Sequence, residues 1–180
     1  MQTGAGREEA ALVAWEAVLY GEKEFQILFE AMAQPARIME IAQPVHAPGP
    51  INMATATICA AMLGMELPLW TELHWQSRAS HWLQYDCMSS IVSEPCMAKY
   101  AVITAPLSMP ALDQFRIGDR DTTEPATTLI IQVIDFEPVF ENSLLHRRGL
   151  GSNPYYPVGL PDNFWGQRLS IKRTDPKGID

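Results

Sequence analysis

Apolar positions along this chain alternate between helical and strand-like periods. Phe25, Leu28, Phe29 and Met32 fall at i, i+3, i+4 and i+7, which sets them on one helical face. Pro35 ends that helix, because the residue before a proline avoids the helical region. Upstream, Leu12, Trp15 and Leu19 within Glu8 to Tyr20 predict an earlier helix, punctuated by Gly21. Arg37 to Ile41 reads as a short strand, and Gln43 to Pro50, with three prolines and a glycine, as a loop. Asn52 can cap an alanine-rich helix through about Leu63, with Gly64 as its terminator. Leu67 to Leu73, Met88 to Ser93 and Tyr100 to Thr104 are strand candidates, and Ser108 is placed to cap a short helix over Met109 to Phe115. Gly118 to Pro125 is polar turn material. Thr128 to Ile134 is β-branched and apolar on both faces, as expected of an inner strand covered by helices on each side. Leu160-Pro161-Asp162 looks like a helix start, with Phe164, Trp165 and Leu169 on the apolar side that follows. Helices interspersed with short strands predict a layered α/β or α+β architecture.

Composition narrows the class. A chain of 180 residues with 47% apolar content fits one domain, residues 1–180, with a full core of its own. The formal net charge of -8 argues against broad contact with nucleic acid or with an anionic membrane surface, both of which call for a basic stripe. Positive charge gathers late in the chain, at Arg147, Arg148, Arg168, Lys172, Arg173 and Lys177. No apolar run reaches the roughly 20 residues of a membrane span. Cys59, Cys87 and Cys96 form no C-x-x-C pair, so buried or free thiols in a reducing cytoplasm are expected rather than a zinc site or disulfides.

Candidate chemistry is sparse. There is no phosphate-binding glycine loop of the Walker or dinucleotide type and no serine nucleophile elbow. His74 and His81 are seven apart, with Asp86 five further on, a spacing that a helix brings to one side but that more often belongs to surface histidines. Asp119-Arg120-Asp121 reads as a solvated turn. Lys23, Lys99, Lys172 and Lys177 carry no mark of a Schiff-base lysine, and no metal set is expected. The most suggestive segment is His146 to Asn153. There Arg147 and Arg148 supply charge-assisted donors, Gly149 and Gly151 let backbone N–H groups approach an anion, and Ser152 and Asn153 follow. The other reading of that segment is a solvated loop after a strand. Trp75 and Trp82, seven apart, together with Phe164 and Trp165, are candidates for core or for partner contact.

Five segments, taken in order, resemble the PhnH family of the bacterial carbon–phosphorus lyase system. Phe25 to Pro35 resembles its opening F-R-x-L-L-x-A-M-(S/A)-x-P-G. Ile51 to Thr55 through Pro68-Leu69-Trp70 resembles a helix followed by T-P-V-W. Ala126 to Val133 is similar to A-T-L-I-L-Q-V, and Arg148-Gly149-Leu150-Gly151 to a G-P-G-I loop. Gly159-Leu160-Pro161 to Phe164-Trp165 and Pro176 to Asp180 resemble G-L-P-x-x-F-W and P-x-G-(V/I)-D. The resemblance spans about Phe25 to Asp180. It departs at Gln26 for arginine, Ala36 for glycine, Gly64 for aspartate, Tyr85-Asp86-Cys87 for an aromatic-His-Thr run, and Leu150 for proline.

The resemblance implies a three-layer αβα sandwich like the large domain of the fold-type I pyridoxal-phosphate transferases, without that cofactor. It implies a homodimer that joins other carbon–phosphorus lyase core subunits in the cytoplasm. The role implied is accessory and non-catalytic, supporting transfer of a ribose triphosphate moiety to an alkylphosphonate. A phosphate-ester or nucleotide binding module at Arg147 to Asn153, and an independent transferase, are the alternatives.

Overall fold

The computed structural model describes residues 25–34, 38–41, 44–64, 67–118, 125–138 and 155–171. Helix α1 occupies 25–33, as its apolar period predicts, and turns that face outward, with Phe25, Phe29 and Met32 exposed. Helix α2 (Met53–Met62) starts at Asn52, whose side-chain oxygen accepts the Thr55 N–H at 2.8 Å, an N-cap of the expected kind. It buries Thr55, Ala56, Thr57 and Cys59. Thr57 Oγ1 donates to the Met53 carbonyl and accepts the Val45 N–H, each at 2.8 Å, which ties the proline-rich loop down onto the helix. Leu63, in extended conformation, ends α2 in place of a left-handed Gly64.

Strands β1 (Pro68–Thr71), β2 (Ser90–Ile91), β3 (Tyr100–Ile103) and β4 (Thr128–Ile131) form a parallel sheet in the order β2-β1-β3-β4. Helix α3 (Arg78–Tyr85) connects β1 to β2 and is capped by Ser77, whose Oγ accepts the Ser80 N–H at 3.0 Å. The pleat sends alternate residues to opposite faces. Leu69, Val102 and Ile130 pack with Ala56 and Cys59 of α2 and Ala79 and Leu83 of α3. Ala101, Ile103, Trp70, Leu129 and Ile131 pack around Phe115 on the other side.

Several expectations are corrected. Of the strand expected over Arg37 to Ile41, residues 38–41 form none: nothing among the described residues pairs with them, and Ile38 is exposed. The helix expected over Met109 to Phe115 is replaced by two 3-10 turns, Pro106–Ser108 and Leu112–Gln114. Pro110 removes an N–H and drives Met109 out of the helical region, and the Ser108 hydroxyl donates back to the Ala105 carbonyl at 3.0 Å rather than capping forward. The apolar run Thr128 to Ile134 yields β4, which lies laterally outermost among the described strands. Both of its faces are covered, and a two-sided apolar run reports covered faces, not lateral position.

An antiparallel pair, β5 (Asp135–Pro138) with β6 (Tyr155–Val158), stands apart from the main sheet. Gly159 follows it at φ +96, a backbone conformation that favours glycine, and a Cβ there would also have to displace the exposed Ile134 side chain. Helix α4 (Phe164–Ile171) begins after Pro161, as expected, and is pinned to the second 3-10 turn by Gln167 Oε1, which accepts the Leu112 N–H at 2.7 Å. No helix among the described residues is long and apolar enough to cross a membrane. The helix expected over Glu8 to Tyr20 and most of the polar turn at 119–124 lie outside the described residues.

Candidate functional site

The order β2-β1-β3-β4 reverses direction between β1 and β3, and in open parallel sheets the carboxyl ends of the strands at such a reversal are where ligand crevices form. Glu72, the residue after β1, closes that end. Its Oε1 accepts the Thr104 N–H at 2.6 Å, the Thr104 hydroxyl at 2.7 Å and the Ala105 N–H at 2.8 Å. Its Oε2 is buried with no hydrogen-bond partner among the described residues. One carboxylate thus locks the ends of the two central strands together and holds a spare acceptor beside them.

The turn that follows presents Trp75, which is 69% exposed. The turn is rigidly held: the Ser77 N–H donates to the His74 carbonyl at 2.8 Å, the Ser80 hydroxyl donates to the same carbonyl at 2.9 Å, and the His74 ring stacks on Trp75 at 6.0 Å. Trp82 points the other way, half-buried against the core beside Leu83. The outer face of α3 carries Arg78, His81 and Tyr85, all exposed, with His81 and Tyr85 edge to face at 6.0 Å. Tyr85 and Arg78 were not singled out by sequence. The signal was present in the period of α3, which turns Ala79, Ser80 and Leu83 inward and leaves this set outside. Among the described residues His74, His81 and Asp86 form no metal-binding group.

Phe164 is buried and Trp165 half-buried, edge to face at 5.2 Å. Among the described residues no ring contact joins this pair to Trp75 or Trp82. Beside them lies a cavity of about 740 Å³ between the 111–117 segment and α4, lined by Asp113, Asn163, Gly166, Gln167 and Ser170 among others. A second cavity of about 210 Å³ adjoins it and shares Ala111, Asn163 and Gln167. No motif announced these residues. The anion-loop candidates Arg147, Arg148, Gly149, Gly151, Ser152 and Asn153 lie outside the described residues.

The described cysteines are free thiols, with Cys59 and Cys87 buried and Cys96 exposed. Burial, and then the nearby Cys87, push the Cys59 thiol well above its ordinary range; burial, and then the Asp86 charge, push Cys87 up to about 12. A thiol that resists ionisation is a poor nucleophile. Maleimide at mildly alkaline pH is therefore expected to label Cys96 alone in the folded protein and Cys59 and Cys87 only after denaturation, as read by intact mass. The unfolded chain releases these protons from about pH 9 while the folded one retains them, so stability is full below that pH and falls towards about pH 12.

The family described as "Bacterial phosphonate metabolism protein (PhnH)" matches residues 15–180. The chain is also similar to the alpha-D-ribose 1-methylphosphonate 5-triphosphate synthase subunit PhnH of Rhizobium meliloti (strain 1021), 23% identical over 167 residues, which cover 91% of this chain and 82% of that protein. The match takes in every described element, from the exposed helix at 25–33 to α4, and so the chain belongs to the PhnH family of bacterial phosphonate metabolism proteins.

Proposed function

We propose that this chain is an accessory, non-catalytic subunit of the carbon–phosphorus lyase core complex. It would support transfer of a ribose triphosphate moiety to an alkylphosphonate during phosphonate catabolism in the cytoplasm. The observation that carries this reading is the family match over residues 15–180, together with a relative named as a synthase subunit. The rest of the reading is a single PhnH-like domain with a three-layer αβα sandwich of the pyridoxal-phosphate transferase type. It works without that cofactor, as a homodimer that joins the other core subunits.

The mechanism is contact. A large aromatic held on a hydrogen-bonded turn loses little freedom on docking, and Trp, Tyr and Arg are the side chains that most often dominate interface energies. Trp75 on the turn before α3, with Arg78 and Tyr85 on α3, provides that set as exposed side chains. Co-expression with the other core subunits, tagged purification and native mass spectrometry test the proposal. A stoichiometric complex containing this chain is expected, and a lone homodimer with no partner retained would sink the assignment. Trp75→Ala is expected to weaken retention by at least about tenfold while changing stability by less than about 0.5 kcal/mol, since the side chain leaves the core untouched. Trp82→Ala is expected to do the reverse, lowering the melting temperature first.

A further inference from the structure

We infer that the cavity between the 111–117 segment and α4 is a binding site for a small, uncharged, polyhydroxylated molecule of the sugar class. At about 740 Å³ it lies within the range of small-molecule sites. Its most telling residue is Gly166. Glycine inside a helix is unfavourable by roughly 1 kcal/mol relative to alanine. Among the described residues a Cβ at Gly166 would meet nothing within 4 Å, and this exposed glycine lines the cavity. Its lack of a side chain keeps the space open.

The polar groups select the ligand. Gln167 Oε1 is committed to the Leu112 N–H at 2.7 Å, which fixes the carboxamide and leaves its Nε2 protons as oriented donors without a partner among the described residues. Asp113 offers only acceptors, and Asn163 and Ser170 offer both functions. An ammonium would satisfy Asp113 but has nothing to accept from Gln167. A phosphate would accept from Gln167, but it would face the Asp113 carboxylate, and none of the described lining residues is Lys or Arg. Hydroxyl groups donate and accept, and so match the whole set. Among the described lining residues, Ala111, Ile117 and Ile171 add surface suited to the C–H faces of a ring. The choice of sugar to test rests on the proposed function, through the ribose in the relative's name; the site itself does not.

The test is a chemical-shift titration of the full chain with D-ribose, run beside inorganic tripolyphosphate. Saturable shifts confined to residues 111–117 and 163–171 are expected, with a dissociation constant on the order of millimolar, as suits so few non-hydrogen atoms. Gly166→Leu is expected to weaken binding at least about tenfold with an equal or higher melting temperature, because leucine favours the helix while filling the space. Asp113→Asn is expected to weaken it at least about fivefold. Should Gly166→Leu fail to fold, Ser170→Leu blocks the same space from an exposed position. Absence of saturable shifts, shifts mapping elsewhere, unchanged affinity in the blocking variant, or preference for tripolyphosphate at these residues would each overturn the site. Because binding is read on the isolated chain, a protein that binds ribose but joins no complex refutes the subunit reading alone. A protein that joins the complex but ignores ribose refutes only the site.

Discussion

Phe115→Ala is expected to destabilise the protein by about 3–5 kcal/mol, the usual cost of emptying a core aromatic position. Phe115 is 2% exposed and is the buried side chain around which Ala101 and Ile103 of β3 gather. Its ring meets Trp70 edge to face at 5.6 Å, a geometry that adds to simple burial. The segment that carries it has only short 3-10 turns and few internal hydrogen bonds, so this one ring supplies much of the reason for that segment to stay on the sheet. For a chain of this size the loss should lower the melting temperature by roughly 10 °C or more. Thermal and denaturant unfolding read the effect directly. Phe115→Leu, which retains most of the volume, should lose less than half as much. A loss under about 1 kcal/mol in the alanine variant would mean that the second core cluster is not packed as described.

Glu72→Ala should cost about 2–3 kcal/mol by a different route. The substitution removes no core volume. It deprives the Thr104 N–H, the Thr104 hydroxyl and the Ala105 N–H of their shared charged acceptor. Ala105 is exposed and can turn to water, whereas Thr104 is only partly accessible, which sets the upper bound. Glu72→Gln preserves the accepting oxygen, loses only the charge assistance, and exchanges the partnerless Oε2 for an amide nitrogen. It should therefore retain most of the stability. Urea unfolding of the two variants separates the explanations: equal losses would show that the bonds to 104–105 are not what Glu72 contributes.

Much of the architecture was readable from periodicity. The helix at 25–33, the Asn52 cap, the strands at Leu69, Tyr100 and Thr128, and the helix after Pro161 lie where apolar spacing and capping residues place them. The misses have local causes. Pro110 interrupts a run whose apolar spacing alone suggests a helix. Pro138 and Pro157 sit inside β5 and β6, whose pairing therefore left little trace in the pattern. The site was less legible. Trp75 and Trp82 look equivalent in sequence, and only the fold separates the exposed ring on the turn before α3 from the one on α3 against the core. Glu72 belongs to no motif, because its partners are some thirty positions away and join it only through strand pairing. Asp113 and Gly166 gain meaning only when a helix and an irregular segment face each other.

The all-parallel pairing of the main sheet has a consequence for how the molecule comes into being. None of its strand pairs is a hairpin. Leu69 waits for Ile91 on one flank and Tyr100 on the other, and Tyr100 waits for Thr128. Each pairing closes a stretch on the order of twenty to thirty positions, so loop-closure entropy is spent before any ladder bond rewards it. On the ribosome the first strand emerges early and stays unpaired until its neighbours follow, and the four described strands can all pair only after residue 131 has cleared the exit tunnel. At typical synthesis rates that interval lasts seconds, during which Leu69 and Trp70 are open to non-native contacts. The protein's yield in a host cell should accordingly depend on translation speed and chaperone supply while residues 68–131 are being made.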